Sequence, residues 1–252
     1  MGRKYPTKDV KLLWGLAAGR CAFPNCKVPC IASASEYDSA VVLGKIAHIV
    51  AHSDDGPRAD PSMPPDDRDK YDNWILLCAA HHDLVDAQAN TYTVSALIDW
   101  KNSHEEWVRS RLVQAIPSVG FAELEMITQS IINVPVPTSN TIDFHLTNPV
   151  EKLAKNDLTN RTYFKITMGL SKAQEVQDFV EKASTLDPTF PERLRNSFMQ
   201  EYERLKSNGL SGDALFESLH QFACPPEKTF EYQAAGIAVI AYLFEKCDIF
   251  ER

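Results

Sequence analysis

Two pairs of soft metal donors, about fifty residues apart, set the strongest constraint on how this chain can fold. Cys21-Ala-Phe-Pro-Asn-Cys26 is a short knuckle, and Cys78-Ala-Ala-His81-His82 follows directly on an apolar, strand-like run. One pair on a tight turn and another at a helix start is how a chain builds a tetrahedral zinc site. Cys21, Cys26, Cys78 and His81 are therefore expected to bind a structural Zn2+, which forces the two segments together. Cys30 is close enough to make Cys26/Cys30 an alternative pair. Six cysteines, four of them in the first third beside histidines, fit metal ligation in a reducing compartment better than a disulfide framework. Four of the seven histidines lie between Leu43 and Asp86. After the zinc assignment, His48 and His82, with Asn73 between them, remain to form a second, open metal centre.

Hydrophobic patterning supplies the elements around these residues. Thr7 to Gly19 reads as a helix with Thr7 as its cap and Val10, Leu13, Trp14 and Ala17 on one face. Val41 to Val50 is β-branched and apolar, and predicts a strand with His48 at its far end. Trp74 to Leu77 predicts a second strand, and a helix starts at Cys78. The connection between them is acidic and proline-rich; Asp54, Asp55, Asp60, Asp66, Asp67 and Asp69 read as a solvated surface, and its length points to function. Tyr92 to Leu112 is a further amphipathic helix with a break expected at Asn102-Ser103.

In that order the residues resemble the HNH (His-Asn-His, ββα-metal) endonucleases of the zinc-stabilised subgroup. Ala47-His48-Ile49, Gly56-Pro57-Arg58, Asn73-Trp74-Ile75-Leu76-Leu77-Cys78 and His81-His82 are similar to nuclease effectors of bacterial antiviral defence, over roughly residues 5–115. The resemblance implies metal-dependent hydrolysis of double-stranded DNA. His48 would be the general base, and Asn73 would bind the metal or hold the His48 loop. His82 would ligate a catalytic Mg2+ or another divalent ion, and Arg58 would contact a phosphate or the loop's acids. The family often has an Asp or His immediately before the base, where this chain has Ala47. Asp86, one helical turn after His82, is the first replacement ligand, followed by His52 and Asp54. The competing expectation is a zinc-stabilised nucleic-acid or protein-binding module with a degenerate HNH site.

The fold expected is α+β: an HNH domain with a structural zinc over residues 1–116, then a mostly helical domain over 117–252, parted at Ile116-Pro117-Ser118-Val119-Gly120. Helices are expected at Phe121–Ile132, Pro149–Lys155, Lys172–Ser184, Phe190–Lys206, Asp213–Phe222 and Tyr232–Phe250, with strand character in Val134–Phe144 and Thr162–Met168. Asn148-Pro149-Val150-Glu151-Lys152, Asn156 and the tail from Tyr242 to Glu251 resemble the C-terminal module of ABC-ATPase three-component defence systems, which docks partner proteins. That implies association with such partners or with itself; the apolar terminal helix reads first as core packing, and any part of it left exposed is the candidate surface. Net charge is −8, against a globally basic DNA-binding face. The first 116 residues hold 13 basic and 15 acidic residues and the rest 13 and 19, so any DNA track is a local patch in the N-terminal part. No apolar stretch reaches membrane-spanning length and the N-terminus lacks an apolar signal core, so a cytoplasmic location is expected.

Overall fold

A computed structural model describes residues 4–132, 152, 155–224, 228–246 and 250. The chain is α+β and divides into two units, Met1–Ser110 and Arg111–Arg252, a few residues before the boundary expected from Ile116-Pro117.

The N-terminal unit is built on one antiparallel hairpin. Helix α1 (Thr7–Leu16) begins after Pro6, which occupies the cap position in place of Thr7. It stops where Ala18 and Gly19 turn left-handed, at φ 49° and 60°. The knuckle follows, with Asn25 at φ 59° and the Cys26 amide closing onto the Phe23 carbonyl at 3.1 Å. A two-residue pair, β1 (Ile31–Ala32) with β2 (Val41–Val42), leads into β3 (Gly44–His48). β3 pairs with β4 (Trp74–Cys78) in the register Gly44↔Cys78 to His48↔Trp74. Trp74, Ile75, Leu76 and Leu77 are all buried. A strand covered on both faces reads as a continuous apolar run, and here α1 and α3 (Ala79–Ala87) both pack against β4. The Ala22 amide bonds the Leu76 carbonyl at 2.9 Å, which ties the knuckle to that strand.

The connection from Ile49 to Asn73 holds one turn of α-helix, α2 (Pro65–Arg68), and a 3-10 turn at Tyr71–Asn73. Its order comes from two arginines turned inward. The buried Arg68 guanidinium bonds the carbonyls of Met63, His52 and Asp60 and pairs with Asp54 at 2.7 Å. Arg58 does the same further in, as described below. Buried cations with several carbonyl acceptors replace an apolar core for this segment, and the expectation of a uniformly solvated acidic loop is corrected accordingly.

Helix α4 (Val94–Ala115) is continuous through Asn102-Ser103, so the expected break is not there. Lys27, left-handed at φ 54° just beyond the knuckle, donates to His104 Nδ1 at 2.8 Å and lies over Trp107. His104 is buried and donates from Nε2 to the Ala17 carbonyl; burial lowers its pKa to about 4 and keeps it neutral. The polar residues on this face are thus bonded to the knuckle.

The C-terminal unit is helical among the described residues. It comprises α5 (Phe121–Ile132), α6 (Asn160–Leu170), α7 (Ala173–Leu186), α8 (Phe190–Ser207), α9 (Gly212–Ala223) and α10 (Phe230–Lys246). The strand expected in Thr162–Met168 is part of α6. Its buried stripe is Thr162, Lys165, Ile166 and Gly169, at helical spacing but with polar members, which hid it from a hydrophobic pattern. Gly169 meets α10 so closely that a Cβ would lie 2.7 Å from the Ala241 Cβ. Helix α10 packs against α5, α6, α7 and α9, with Ile237, Ile240, Leu243 and Phe244 buried. It forms the core of this unit, the packing its apolar pattern favoured, so it is not the docking surface that was the alternative. The helix expected at Pro149–Lys155, the strand character of Val134–Phe144 and His145 lie largely or wholly outside the described residues, as do most residues of the motif at Asn148–Asn156. Among the described residues no helix is long and apolar enough to cross a membrane.

Inside this unit Lys165 Nζ meets Glu217 Oε1 at 2.6 Å, both side chains buried, with His220 Nδ1 4.0 Å from the second carboxylate oxygen. Burial alone would raise the Glu217 pKa, but Lys165 and His220 outweigh it and bring it to about 2. A carboxyl depressed in the folded state contributes stability that is complete above its unfolded pKa and is lost as pH falls through the folded one. The expected result is a loss of about 3 kcal/mol between about pH 4.5 and 2. Urea melts of the wild type followed by far-ultraviolet circular dichroism would show it, and Glu217→Gln would be weaker at pH 7 but flatter over that window.

Candidate metal centre and the histidine cluster beside it

The hairpin and α3 bring the two donor pairs together. Sγ of Cys21, Cys26 and Cys78 and a ring nitrogen of His81 all lie within 4.8 Å of one another. His81 Nδ1 is 3.1 Å from Cys78 Sγ and 3.5 Å from Cys21 Sγ. Donors at zinc bond lengths of about 2.3 Å for sulfur and 2.0 Å for nitrogen stand about 3.5 Å apart on a tetrahedron, so the set fits. Phe23 stacks on the His81 ring at 3.8 Å, with Trp100 edge-on to Phe23 at 4.9 Å, and this fixes the imidazole. Three thiols and an imidazole, largely enclosed, suit Zn2+ in a closed structural site. Burial, with Cys78 and Cys26 adding to it, pushes the Cys21 thiol up to about 12, so an ion binding here must displace its proton. Cys30 is not one of the four; it is buried where β3 begins, with a Cβ on Gly44 only 2.6 Å from its own.

Of the residues expected in the open centre, His48, His82 and Asp86 line one small cavity of about 40 Å³ with His52 and Arg58. His82 Nε2 is 3.9 Å from Asp86 Oδ2, and its Nδ1 is 3.1 Å from Asp83. Asn73 does not line this cavity. It is buried, its Oδ1 accepts from the Val50 amide at 2.8 Å, and its Nδ2 donates to the carbonyls of Val50 at 2.8 Å and Arg68 at 3.0 Å. Its side-chain amide is committed to clamping the two ends of the long connection. Ala47 is fully buried opposite Ile75. Among the replacements weighed for that position, Asp86 stands beside His82, whereas Asp54 is paired with Arg68 and His52 with Asp69.

Arg58 is turned inward, away from any approaching phosphate and from the loop's acids. Its side chain is 3% exposed and paired with Asp86 at 2.6 Å. It also donates to the carbonyls of Ile49, Val85 and His48 at 2.9, 2.6 and 3.1 Å. The guanidinium thereby locks the end of β3 to the end of α3 and holds one Asp86 oxygen, leaving the other facing His82. Arg58→Ala is expected to cost the N-terminal unit about 3 kcal/mol, because it strands a carboxylate and three carbonyls together. Tryptophan-monitored urea unfolding measures it, and Arg58→Lys, without the planar fork, is expected to recover little.

Sequence reasoning missed Asp69. It is the one acid of the long connection that turns fully inward: Oδ1 takes His48 Nε2 and His52 Nδ1, each at 3.0 Å, and Oδ2 takes the Lys4 amide at 2.6 Å. Burial would raise its pKa, but the bonds from Lys4, His48 and His52 outweigh it and hold the carboxyl below the usual range. The ionised carboxylate can only accept, so His48 carries a proton on Nε2, which in the neutral ring leaves Nδ1 as the acceptor. The signal available in sequence was position: Asp69 sits beside Arg68, four residues before Asn73.

No protein-family model matches the chain, and no curated protein matches it.

Proposed function

We infer that the N-terminal unit is an HNH-type, divalent-metal-dependent endonuclease acting on double-stranded DNA. The observation that carries this reading is the convergence of β3 and α3 on one cavity: His48 from the end of the strand, His82 and Asp86 from the helix, with Asn73 clamping the connection behind them. His48 is the general base. With its proton fixed on Nε2 by Asp69, Nδ1 takes a proton from water as the water oxygen bonds phosphorus and the phosphorus–oxygen bond to the leaving group breaks. A divalent cation held by His82 and Asp86 Oδ2 would stabilise charge on the leaving oxygen. A shallow groove lined by Tyr5, Lys45, Ile46 and His82 gives a backbone phosphate an approach to that edge, within an otherwise near-neutral unit.

The structural zinc supports the same reading, because it pins the knuckle to the first turn of α3 and so sets where His82 stands. We assign the helical unit to partner docking or self-association, as in the defence effectors the sequence resembles. With α10 in its core, docking falls to other faces, where Phe121, Met126 and Leu186 are exposed apolar side chains. Nicking of supercoiled plasmid by zinc-replete protein tests the reading, with Mg2+ or Mn2+ supplied and then withdrawn by chelation. Metal-dependent nicking supports it; zinc-replete protein that never nicks, alone or with its activating partner, favours the binding module with a degenerate site.

A further inference from the structure

His48, His52 and Asp69 do more than share hydrogen bonds. Their donor atoms all lie within 4.8 Å of one another, and the two imidazole nitrogens each stand 3.0 Å from the same carboxylate oxygen. Neighbouring donors on one cation with bonds of about 2.0–2.1 Å are themselves about 3 Å apart. Little movement therefore separates the hydrogen-bonded trio from a coordinated one. His48 and Asp69 are buried and His52 is nearly so. His52 and Asp69 border a cavity of about 580 Å³, from which water can complete the coordination.

The geometry points to a second zinc site at His48, His52 and Asp69, whose occupation switches the nuclease off. Two imidazoles and one carboxylate favour Zn2+ over Mg2+, which takes oxygen ligands and keeps its waters. The consequence for the base follows from proton bookkeeping. Without a cation, the neutral His48 ring carries its proton on Nε2, bonded to Asp69, and its lone pair on Nδ1. Coordination through Nε2 moves that proton to Nδ1, and the His52 proton moves likewise from Nδ1 to Nε2. No proton need be lost, yet the nitrogen that would accept one from water is now protonated. The ion does not have to block the cavity at His82; it changes the tautomer of the base. This inference rests on His48 being the base, but the existence of the site does not.

Zinc content decides the site. Protein equilibrated with Zn2+ and desalted is expected to carry two ions per chain, and His52→Asn and Asp69→Asn one each. The amide introduced by His52→Asn can still donate to Asp69, and the retained ion at the cysteines verifies that the variants are folded. One ion in the wild type, or two retained in His52→Asn, overturns the proposal. Nicking decides the switch. In Mg2+, with each protein compared with its own zinc-free rate, added Zn2+ is expected to slow the wild type at least tenfold and His52→Asn less than twofold. Equal inhibition of both overturns the switch. If no protein nicks DNA in Mg2+, the nuclease reading fails, while the ion count still decides the site.

Discussion

Cys78→Ser is expected to unfold the N-terminal unit while leaving the helical unit's circular dichroism in place. Cys78 is one of four clustered residues that could hold a metal ion and stands at the first turn of α3 without a side-chain cap bond, so losing it takes away the donor that ties that helix start to the knuckle. Apparent binding energies at structural zinc sites are on the order of 10 kcal/mol, more than a small hairpin unit holds in reserve. The chain offers a clean readout, because all four tryptophans, at 14, 74, 100 and 107, belong to this unit. Their emission should shift to that of exposed indole, and zinc content should fall to less than one ion at the cysteines. Cys30→Ser, outside the donor set, is the control expected to keep the ion. A Cys78→Ser protein without zinc but with native tryptophan emission would refute the structural role.

His48→Ala is expected to lower nicking by about 10²–10⁴-fold and to keep the zinc at the cysteines. It will not be silent in stability. Asp69 loses one of the two histidine bonds on Oδ1, a cost of about 1–3 kcal/mol for a hydrogen bond to a charged group. A urea melt separates that cost from the rate, since the variant remains folded at assay temperature. Full nicking by His48→Ala would move the base elsewhere.

The parts of this site that were legible in the sequence are those whose chemistry is local. Cysteine spacing gave the four residues that cluster as candidate metal ligands, because a knuckle and a helix start are each complete within a few residues. The apolar run at Trp74 to Leu77 gave β4, and proline and glycine punctuation gave helix ends such as the start of α5. What was not legible is long-range polar burial. Asp69 and Asp66 have the same side chain in the same acidic stretch; one accepts three hydrogen bonds inside the fold and the other stays at the surface. Arg58 read as a contact for a phosphate or the loop's acids and Arg68 drew no reading, yet the two organise a segment with little apolar surface of its own to bury. Helix α6 was misread because Lys165 and Thr162 face its core, and a buried ion pair leaves no mark on a hydrophobic pattern.

The bond from the Lys4 amide to Asp69 Oδ2 carries a practical consequence for anyone handling this protein. It is a main-chain bond, so no side-chain substitution at position 4 removes it, while trimming or displacing the first few residues does. Asp9 reinforces the same staple by accepting from the Tyr71 amide at 2.9 Å. An N-terminal truncation chosen for crystallisation, or a protease that nibbles the leading residues, would therefore reach the charge behind His48 without touching a residue of the motif. Preparations should be compared by intact mass before their activities are.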